Sequence, residues 1–212
     1  SFEKDLLDWC AKDNLSRIVR SFSYGAIRVK NDDPLYVVQY VIFELATADV
    51  RNFLDINDKS NIAWRFRSLH HATIGLAQLH SREIAHQDLK PSNLLVFGKS
   101  DSKISDLGRA SVKSRPSPYD GLQIPGGGTY APPELLYRFP SPDWEERRLG
   151  CDVYLLGGLV FFFFTGVGAT KMLLRHLDDT HRPETWKGFF HDVLPFLVDA
   201  FERSLSELRG HI

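Results

Sequence analysis

Four polar side chains that could do chemistry together occur close to one another in the sequence: Asp88, Lys90, Asn93 and Asp106. Carboxylate and amide oxygens are ligands that Mg²⁺ accepts alongside phosphate oxygens. A further carboxylate can orient an attacking hydroxyl, and a lysine can neutralise a phosphate as a point charge. Because phosphoryl transfer is catalysed mainly by positioning and charge neutralisation, these residues predict metal-assisted phosphoryl transfer.

Each of these residues taken alone has a simpler interpretation. An isolated Asp or Asn in a loop is more often a turn or cap residue, and an isolated lysine is usually a solvated surface charge. The order and spacing of the four residues argue against coincidence. They lie in the stretch H-Q-D-L-K-P-S-N at residues 86–93 and in D-L-G at residues 106–108.

These two stretches resemble the catalytic loop H-R-D-L-K-P-x-N and the D-F-G motif of eukaryotic-type protein kinases. The resemblance implies transfer of the γ-phosphate of ATP to Ser or Thr hydroxyls of a protein substrate, with ATP and Mg²⁺ as cofactors. It implies that Asp88 orients the hydroxyl, Lys90 steadies the γ-phosphate, and Asn93 and Asp106 hold the metal. Lys90 is typical of the Ser/Thr class.

The chain departs from the family pattern at two positions of these motifs. Leu107 replaces the usual phenylalanine and keeps an apolar side chain. Gln87 replaces the usual arginine, which in many family members pairs with a phosphate on the activation loop. The chain therefore resembles a non-RD kinase, and we do not expect it to be switched by phosphorylation through that pair.

Two later segments resemble the same family. Residues 129–134, T-Y-A-P-P-E, resemble the end of an activation segment, with Glu134 as its structural glutamate. Gly127 stands where Ser/Thr kinases carry a threonine, and Thr129 could fill that role only in a shortened loop. Asp152 begins a stretch that resembles the central helix of the C-lobe, and we expect it to bond the backbone of the catalytic loop.

The resemblance also places residues around the nucleotide. Residues 41–46 resemble the last N-lobe strand and the hinge, with Phe43 as gatekeeper. Glu44 and Ala46 would offer backbone groups to adenine, and Leu95 is counted with the nucleotide-binding residues. Asp49 has two equally supported interpretations, a contact with a ribose hydroxyl or a helix N-cap.

The elements that must position these residues come in an α+β order. Hydrophobic periodicity predicts helices at 2–12, 49–56, 60–81 and 193–208, strands at 21–30 and 35–43 joined by a turn at 31–34, a short strand at 103–105 and a long loop at 111–128. The resemblance implies a protein kinase-like two-lobe fold. Its predicted parts are a partial β N-lobe at residues 1–45 and a mainly helical C-lobe at residues 46–212.

Composition narrows the class of partner and compartment. The formal net charge of −1 argues against a nucleic-acid or anionic-membrane partner. Two cysteines in 212 residues fit a reducing compartment, and we expect a cytoplasmic protein. The apolar run at residues 155–165 is shorter than the roughly 20 residues of a bilayer span, so it predicts a buried core helix and no membrane span.

The sequence contains neither a glycine-rich loop nor the third-strand lysine that anchors ATP, because it starts within the helix that follows them. We therefore expect an N-terminally truncated kinase domain, which on its own would be weakly active or inactive. The acidic partner of that lysine is either Asp5, which has the better spacing, or Glu3.

Two other functions remain open from the sequence. A pseudokinase that acts as a binding or scaffold module would explain the missing lysine and Gln87. A small-molecule phosphotransferase shares an H-x-D…N…D layout, but the Lys90-Pro91 and Pro133-Glu134 pairs argue against it.

Overall fold

Strands and helices alternate in the first half of the chain, and helices dominate the second half. The computed structural model describes residues 2–28, 37–55 and 61–212. The helices are α1 (Phe2–Lys12), α2 (Val50–Phe53), α3 (Ile62–His80), α4 (Pro133–Leu136), α5 (Gly150–Thr165), α6 (Ala169–Arg175) and α7 (Phe190–Arg209). The strands are β1 (Ser21–Arg28), β2 (Val37–Phe43), β3 (Ala48–Asp49), β4 (Ile84–Ala85), β5 (Leu94–Phe97), β6 (Asp101–Ile104) and β7 (Ser111–Val112). The predicted α+β class is confirmed.

The N-terminal part consists of α1 and a β-hairpin. Helix α1 has the predicted bounds and buries Leu6, Leu7 and Cys10, which recur at helical spacing. Strands β1 and β2 pair antiparallel, with Ser21 opposite Phe43. The turn predicted at residues 31–34 lies outside the described residues.

Short antiparallel pairs fix the loops that carry the polar residues. Strand β5 pairs with both β3 and β6, and Leu94 of β5 faces Ile104 of β6. Strand β4 pairs with β7, and Ile84 faces Val112. The catalytic loop runs from the end of β4 to the start of β5, and Asp106 follows β6 closely. The strand pairing therefore brings these two segments to one side of the molecule.

Helix α5 forms the centre of the helical part and continues directly from a π-helical turn at Glu145–Leu149. Its buried residues are Cys151, Asp152, Leu155, Leu159, Phe161, Phe163 and Phe164. Among the described helices, only the continuous stretch Glu145–Thr165 is long and apolar enough to cross a membrane by length and composition. A core helix that is apolar on every side passes the same test.

The bounds of several elements differ slightly from the predicted ones. Helix α2 is shorter than the predicted 49–56, because Asp49 caps its start and Leu54 is already extended. Strand β6 ends at Ile104 and begins two residues before the predicted 103–105. The long loop begins with β7, because Ser111 and Val112 pair with β4.

Candidate active site

Asp152 holds the catalytic loop from inside the protein core. Its fully buried carboxylate accepts hydrogen bonds from the backbone N–H groups of His86 and Gln87, each at 2.7 Å. Nε2 of His80, the last residue of α3, lies 2.9 Å from the same carboxylate. These partners satisfy a charge whose burial would otherwise be costly. The prediction that Asp152 bonds the catalytic-loop backbone is confirmed.

The imidazole of His86 links the catalytic loop to the segment that leads to Asp106. Its Nδ1 accepts a hydrogen bond from the Asp88 N–H at 3.2 Å. Nε2 is therefore the protonated nitrogen, and it donates to the carbonyl oxygen of Ser105 at 2.9 Å. His86 is fully buried, so this arrangement sets the distance between the two chemical motifs.

Asp88 is flanked by two donors from its own loop. Nζ of Lys90 lies 2.7 Å from Asp88 Oδ2, and Nδ2 of Asn93 lies 3.3 Å from the same oxygen. A 3₁₀ turn at Pro91–Asn93 returns the chain toward Asp88, so that Asn93 also donates to the Asp88 carbonyl at 2.9 Å. Asp88 and Asn93 are buried, whereas Lys90 is half-buried.

Asn93 also connects Asp88 to Asp106. Its Nδ2 lies 3.3 Å from Asp106 Oδ2, the same distance as to Asp88 Oδ2. Asp106 has a left-handed backbone with φ 63°, which Asp tolerates better than most residues. This conformation lets its Oδ1 accept a hydrogen bond from the N–H of Gly108 and cap the following 3₁₀ turn. The structure thus brings the four residues singled out in the sequence into one cluster.

The glycine-rich end of the activation segment, residues 106–134, lies directly on Asp88. The Gly127 N–H donates to Asp88 Oδ1 at 2.9 Å. A Cβ atom placed on Gly126 would stand 2.3 Å from the Gln87 carbonyl oxygen and 2.7 Å from Asp88 Oδ1. Thr129 is exposed. The contact with Asp88 is therefore made by a backbone amide at Gly127, the position where Ser/Thr kinases carry a threonine.

Glu3 of α1 faces the site from the N-terminal part. Its carboxylate is half-buried, and burial together with the Asp106 carboxylate raises the pKa of Glu3. A cavity of 730 Å³, lined by Glu3, Tyr24, Gly108 and Tyr119 among others, opens between α1, the β-hairpin and the activation segment. Asp5 is exposed. Which of the two acids would pair with the third-strand lysine stays a prediction, and Glu3 is the one that lies near Asp106.

The predicted adenine-binding segment follows β2. Phe43 ends that strand with 36% of its surface exposed. The Glu44 N–H donates to the Arg20 carbonyl at 3.0 Å, and its carboxylate binds Lys103 Nζ at 2.7 Å. The group that Glu44 can offer to a ligand is therefore its carbonyl oxygen. Ala46 is half-buried in the extended segment that follows.

Asp49 and Leu95 lie opposite each other in paired strands. The Asp49 carboxylate caps α2, accepting from the Asn52 N–H at 3.0 Å and from Asn52 Nδ2 at 2.9 Å. This is the N-cap interpretation of Asp49, and a contact with ribose stays a prediction. Leu95 is half-buried beside it.

Arg148 contacts the catalytic loop and was not identified from the sequence. It is 2% exposed, and its Nη1 donates to Gln87 Oε1 at 2.9 Å. The one sequence feature that could have indicated this contact is Gln87, because an uncharged residue in place of the usual arginine can accept a guanidinium from another part of the chain.

The end of the activation segment is anchored to α6 by a hydrogen bond from Thr170 Oγ1 to the Ala131 carbonyl, 3.0 Å long. Burial raises the pKa of Glu134. Arg203, which could have paired with Glu134, pairs with Asp199 of its own helix at 2.7 Å. In the described part of the chain Glu134 makes no ion pair.

The fold and the site together define a class of protein in which a small sheet-containing part and a larger helical part accompany the cluster of Asp88, Lys90, Asn93 and Asp106. The sequence matches the family described as protein kinase domain over residues 5–180, and the chain belongs to this family. Its fold is accordingly a partial two-lobe kinase fold, as predicted.

Known proteins of several kinds are similar to this chain. Cysteine-rich receptor-like protein kinase 2 of Arabidopsis thaliana is 29% identical over 167 residues, which is 76% of this chain and 25% of the relative. A protein named probable cyclin-dependent serine/threonine-protein kinase, from Dictyostelium discoideum, is 33% identical over 141 residues, 64% of this chain and 9% of the relative. An Aurora kinase of Debaryomyces hansenii is 31% identical over 129 residues, 60% of this chain and 30% of the relative. The matches thus span less than a third of each relative's length.

Proposed function

We propose that this protein is an ATP-dependent kinase that phosphorylates Ser and Thr hydroxyls of proteins. The observation that carries the proposal is the position of Asn93, whose amide lies 3.3 Å from both the Asp88 and the Asp106 carboxylates. Lys90, typical of Ser/Thr kinases, contacts Asp88 at 2.7 Å. The serine/threonine-protein kinase named among the relatives supports the same acceptor class.

In the proposed reaction, Asp88 accepts the proton of the substrate hydroxyl while the hydroxyl oxygen bonds to the γ-phosphorus. The bond between the γ-phosphorus and the β–γ bridging oxygen breaks, and ADP leaves. Asp88 already accepts hydrogen bonds at both carboxylate oxygens, but a carboxylate has about four acceptor sites, so room for the substrate proton remains. Lys90 is close enough to Asp88 to meet the γ-phosphate beside it.

The residues present fit Mg²⁺. Because the Asn93 Nδ2 donates to the Asp88 carbonyl, its Oδ1 is the atom left for a metal. Asp106 supplies a carboxylate, and Mg²⁺ ordinarily takes one or two carboxylates together with phosphate oxygens. Burial, and then the Asp106 carboxylate, raise the pKa of Glu3, so two acidic side chains lie near each other here. Bound Mg²⁺ would supply positive charge beside them and neutralise the phosphates.

The nucleotide would be bound by the residues that the family resemblance implies. The Glu44 carbonyl and the backbone of Ala46 would face adenine, and Phe43 and Leu95 would contact its ring. Asp49 would reach ribose only by sharing its capping bonds with Asn52.

Two alternatives have weaker support. A binding-only pseudokinase would have no need for Asp88, Lys90, Asn93 and Asp106, which are all present and in contact. A small-molecule phosphotransferase is not favoured by the names of the similar proteins, which are protein kinases.

We further propose a cytoplasmic protein without a membrane span in this segment. The support is that Cys10 and Cys151 are both unpaired and buried, and that α5 packs inside the core. Two statements stay predictions from the sequence: that the protein has no nucleic-acid partner, and that the boundary between N-lobe and C-lobe falls between residues 45 and 46.

The test is the rate of phosphate transfer from Mg²⁺·ATP to a general protein substrate, measured in the full-length protein for the wild type, Asp88→Asn and Asp106→Asn. Each substitution is expected to lower the transfer rate at least about a hundredfold. Asp199→Asn, at an exposed surface ion pair, is the matched control and should transfer at the wild-type rate.

A thermal-shift measurement with ATP, with and without Mg²⁺, separates the two roles. Asp106→Asn should lose the Mg²⁺-dependent part of the stabilisation, and Asp88→Asn should keep it. Undiminished transfer in either variant would refute the assigned role. Mg²⁺·ATP binding by a wild-type protein that transfers no phosphate would favour the pseudokinase.

A further inference from the structure

A buried arginine joins the catalytic loop to the activation segment. Arg148 lies in the π-helical turn before α5, and its Nη1 donates to Gln87 Oε1 at 2.9 Å. Gln87 Nε2 donates back to the Arg148 carbonyl, also at 2.9 Å. The two residues are thus linked by a reciprocal pair of hydrogen bonds, which fixes the guanidinium beneath the loop that carries Asp88.

The other end of the guanidinium holds the activation segment. Arg148 Nη2 donates to the Asp120 carbonyl at 2.7 Å and lies 3.7 Å from the Asp120 carboxylate. That carboxylate closes its own turn, because it accepts hydrogen bonds from the Ser117 N–H and from Ser111 Oγ, each at 2.7 Å. Arg148 therefore contacts the activation segment at Asp120, the residue whose hydrogen bonds hold this part of the segment together.

The surroundings of Arg148 disfavour its charged form. Burial, and then the neighbouring Arg147, lower the pKa of Arg148, whereas Asp120 opposes this shift. A buried charge is strongly destabilising when it loses a partner, so each end of the link depends on the other.

We propose that Arg148 is a positioning residue for phosphoryl transfer, and that with Asp120 it holds the activation segment against the catalytic loop without an added phosphate. The proposal rests on the proposed kinase function. It assigns to two unmodified side chains the work that a loop arginine and a phosphorylated residue do in kinases with arginine at the position of Gln87.

The same geometry explains why glutamine suits position 87. Its amide has an acceptor oxygen and a donor nitrogen, and Arg148 is hydrogen-bonded to both. An arginine at this position would have no acceptor and would place a second guanidinium against the first. We therefore expect Gln87→Arg to loosen the segment, although it restores the residue usual in the family.

The experiment compares Arg148→Gln with a control variant, Arg147→Gln. Arg147 is the neighbouring arginine, and its side chain is not part of the link between Gln87 and Asp120. For Arg148→Gln we expect kcat/KM for the protein substrate to fall at least about tenfold, with the Kd for Mg²⁺·ATP unchanged within about twofold. We also expect faster tryptic cleavage after Lys113, which lies in the segment that Arg148 holds. Arg147→Gln should match the wild type in all three measurements.

The cleavage rate keeps this inference separate from the proposed function. If the wild type transfers no phosphate, the kinase proposal fails, and the cleavage comparison still decides whether Arg148 holds the segment. If Arg148→Gln fails to fold, Asp120→Asn and Gln87→Arg replace it, since the Asp120 side chain is 38% exposed. Faster cleavage in both Asp120→Asn and Gln87→Arg would support the proposal. The proposal would be overturned if Arg148→Gln, or these two variants, kept the wild-type cleavage rate and the wild-type kcat/KM. A gain of activity in Gln87→Arg would also overturn it.

Discussion

Gly126 lies so close to Gln87 that a Cβ atom on the glycine would stand 2.3 Å from the glutamine carbonyl oxygen. The neighbouring atoms are catalytic-loop backbone and Asp88, which cannot move aside without disturbing the site. We therefore expect Gly126→Ala to lower the free energy of unfolding by about 1–3 kcal/mol, the usual cost of overpacking. We also expect it to displace the segment from Asp88 and lower kcat.

Gly128→Ala is the matched control for this prediction. A Cβ atom on Gly128 would meet no atom within 4 Å. Thermal unfolding and transfer rates should therefore be those of the wild type. Equal effects of the two substitutions would mean that the close packing at Gly126 does not matter.

The hydrogen bond from the Gly127 N–H to Asp88 can be removed without removing a side chain. Gly127→Pro deletes the donor and should lower kcat about tenfold, since hydrogen bonds to charged groups contribute roughly 1.5–3 kcal/mol. Gly127→Ala keeps the donor, and its Cβ would make only ordinary contacts, the nearest at 3.6 Å. A proline variant as active as the alanine variant would contradict a role for this bond.

Glu3 should make stability depend on pH. Burial and Asp106 raise its pKa in the folded state above the ordinary value of 4.5, so the folded protein binds this proton more tightly than the unfolded chain. The Glu3 contribution to stability is therefore present at low pH and is lost as the pH rises through the folded-state pKa. Glu3→Gln should exceed the wild type in unfolding free energy by more at pH 7 than at pH 4.

The check for Glu3 is chemical denaturation of both proteins across this pH range. Asp5→Asn changes an exposed acid of the same helix and serves as the control. If the difference between Glu3→Gln and the wild type is the same at both pH values, the carboxylate does not face Asp106 as described.

The two thiols should resist alkylation in the folded protein. Burial raises the pKa of Cys10 to about 12 and also raises that of Cys151. Because the thiolate is the reacting form, iodoacetamide at pH 8 should modify both cysteines at least about a hundredfold more slowly than in the denatured chain. Mass spectrometry of time points gives both rates, and rapid modification of the native protein would place Cys10 outside the core.

The local elements were predictable because they depend on patterns that the sequence displays directly. Helix α1 follows from the spacing of Leu6, Leu7 and Cys10, and the hairpin follows from two β-rich stretches. The cluster of Asp88, Asn93 and Asp106 was predictable because the family motif fixes which loops meet.

Contacts between segments distant in the sequence were not predictable from the motifs. Asp5 has the better spacing, yet Glu3 is the acid of α1 that lies near Asp106, because this depends on how the helix packs with Leu6, Leu7 and Cys10 buried, which spacing to a later motif does not give. Arg148 lies 61 residues from Gln87 and belongs to no motif, so its role depends on how the turn before α5 packs. The contact at Gly127 is made by the backbone, which residue type does not reveal.

Asp152 has a consequence for the dynamics of the catalytic loop. The backbone N–H groups of His86 and Gln87 donate hydrogen bonds to the Asp152 carboxylate, which belongs to α5 and is fully buried. We expect these amide hydrogens to exchange with deuterium more slowly than those of a solvated loop, because their bonds break only when the loop separates from α5. The start of the catalytic loop is thereby coupled to the opening of the region around the central helix.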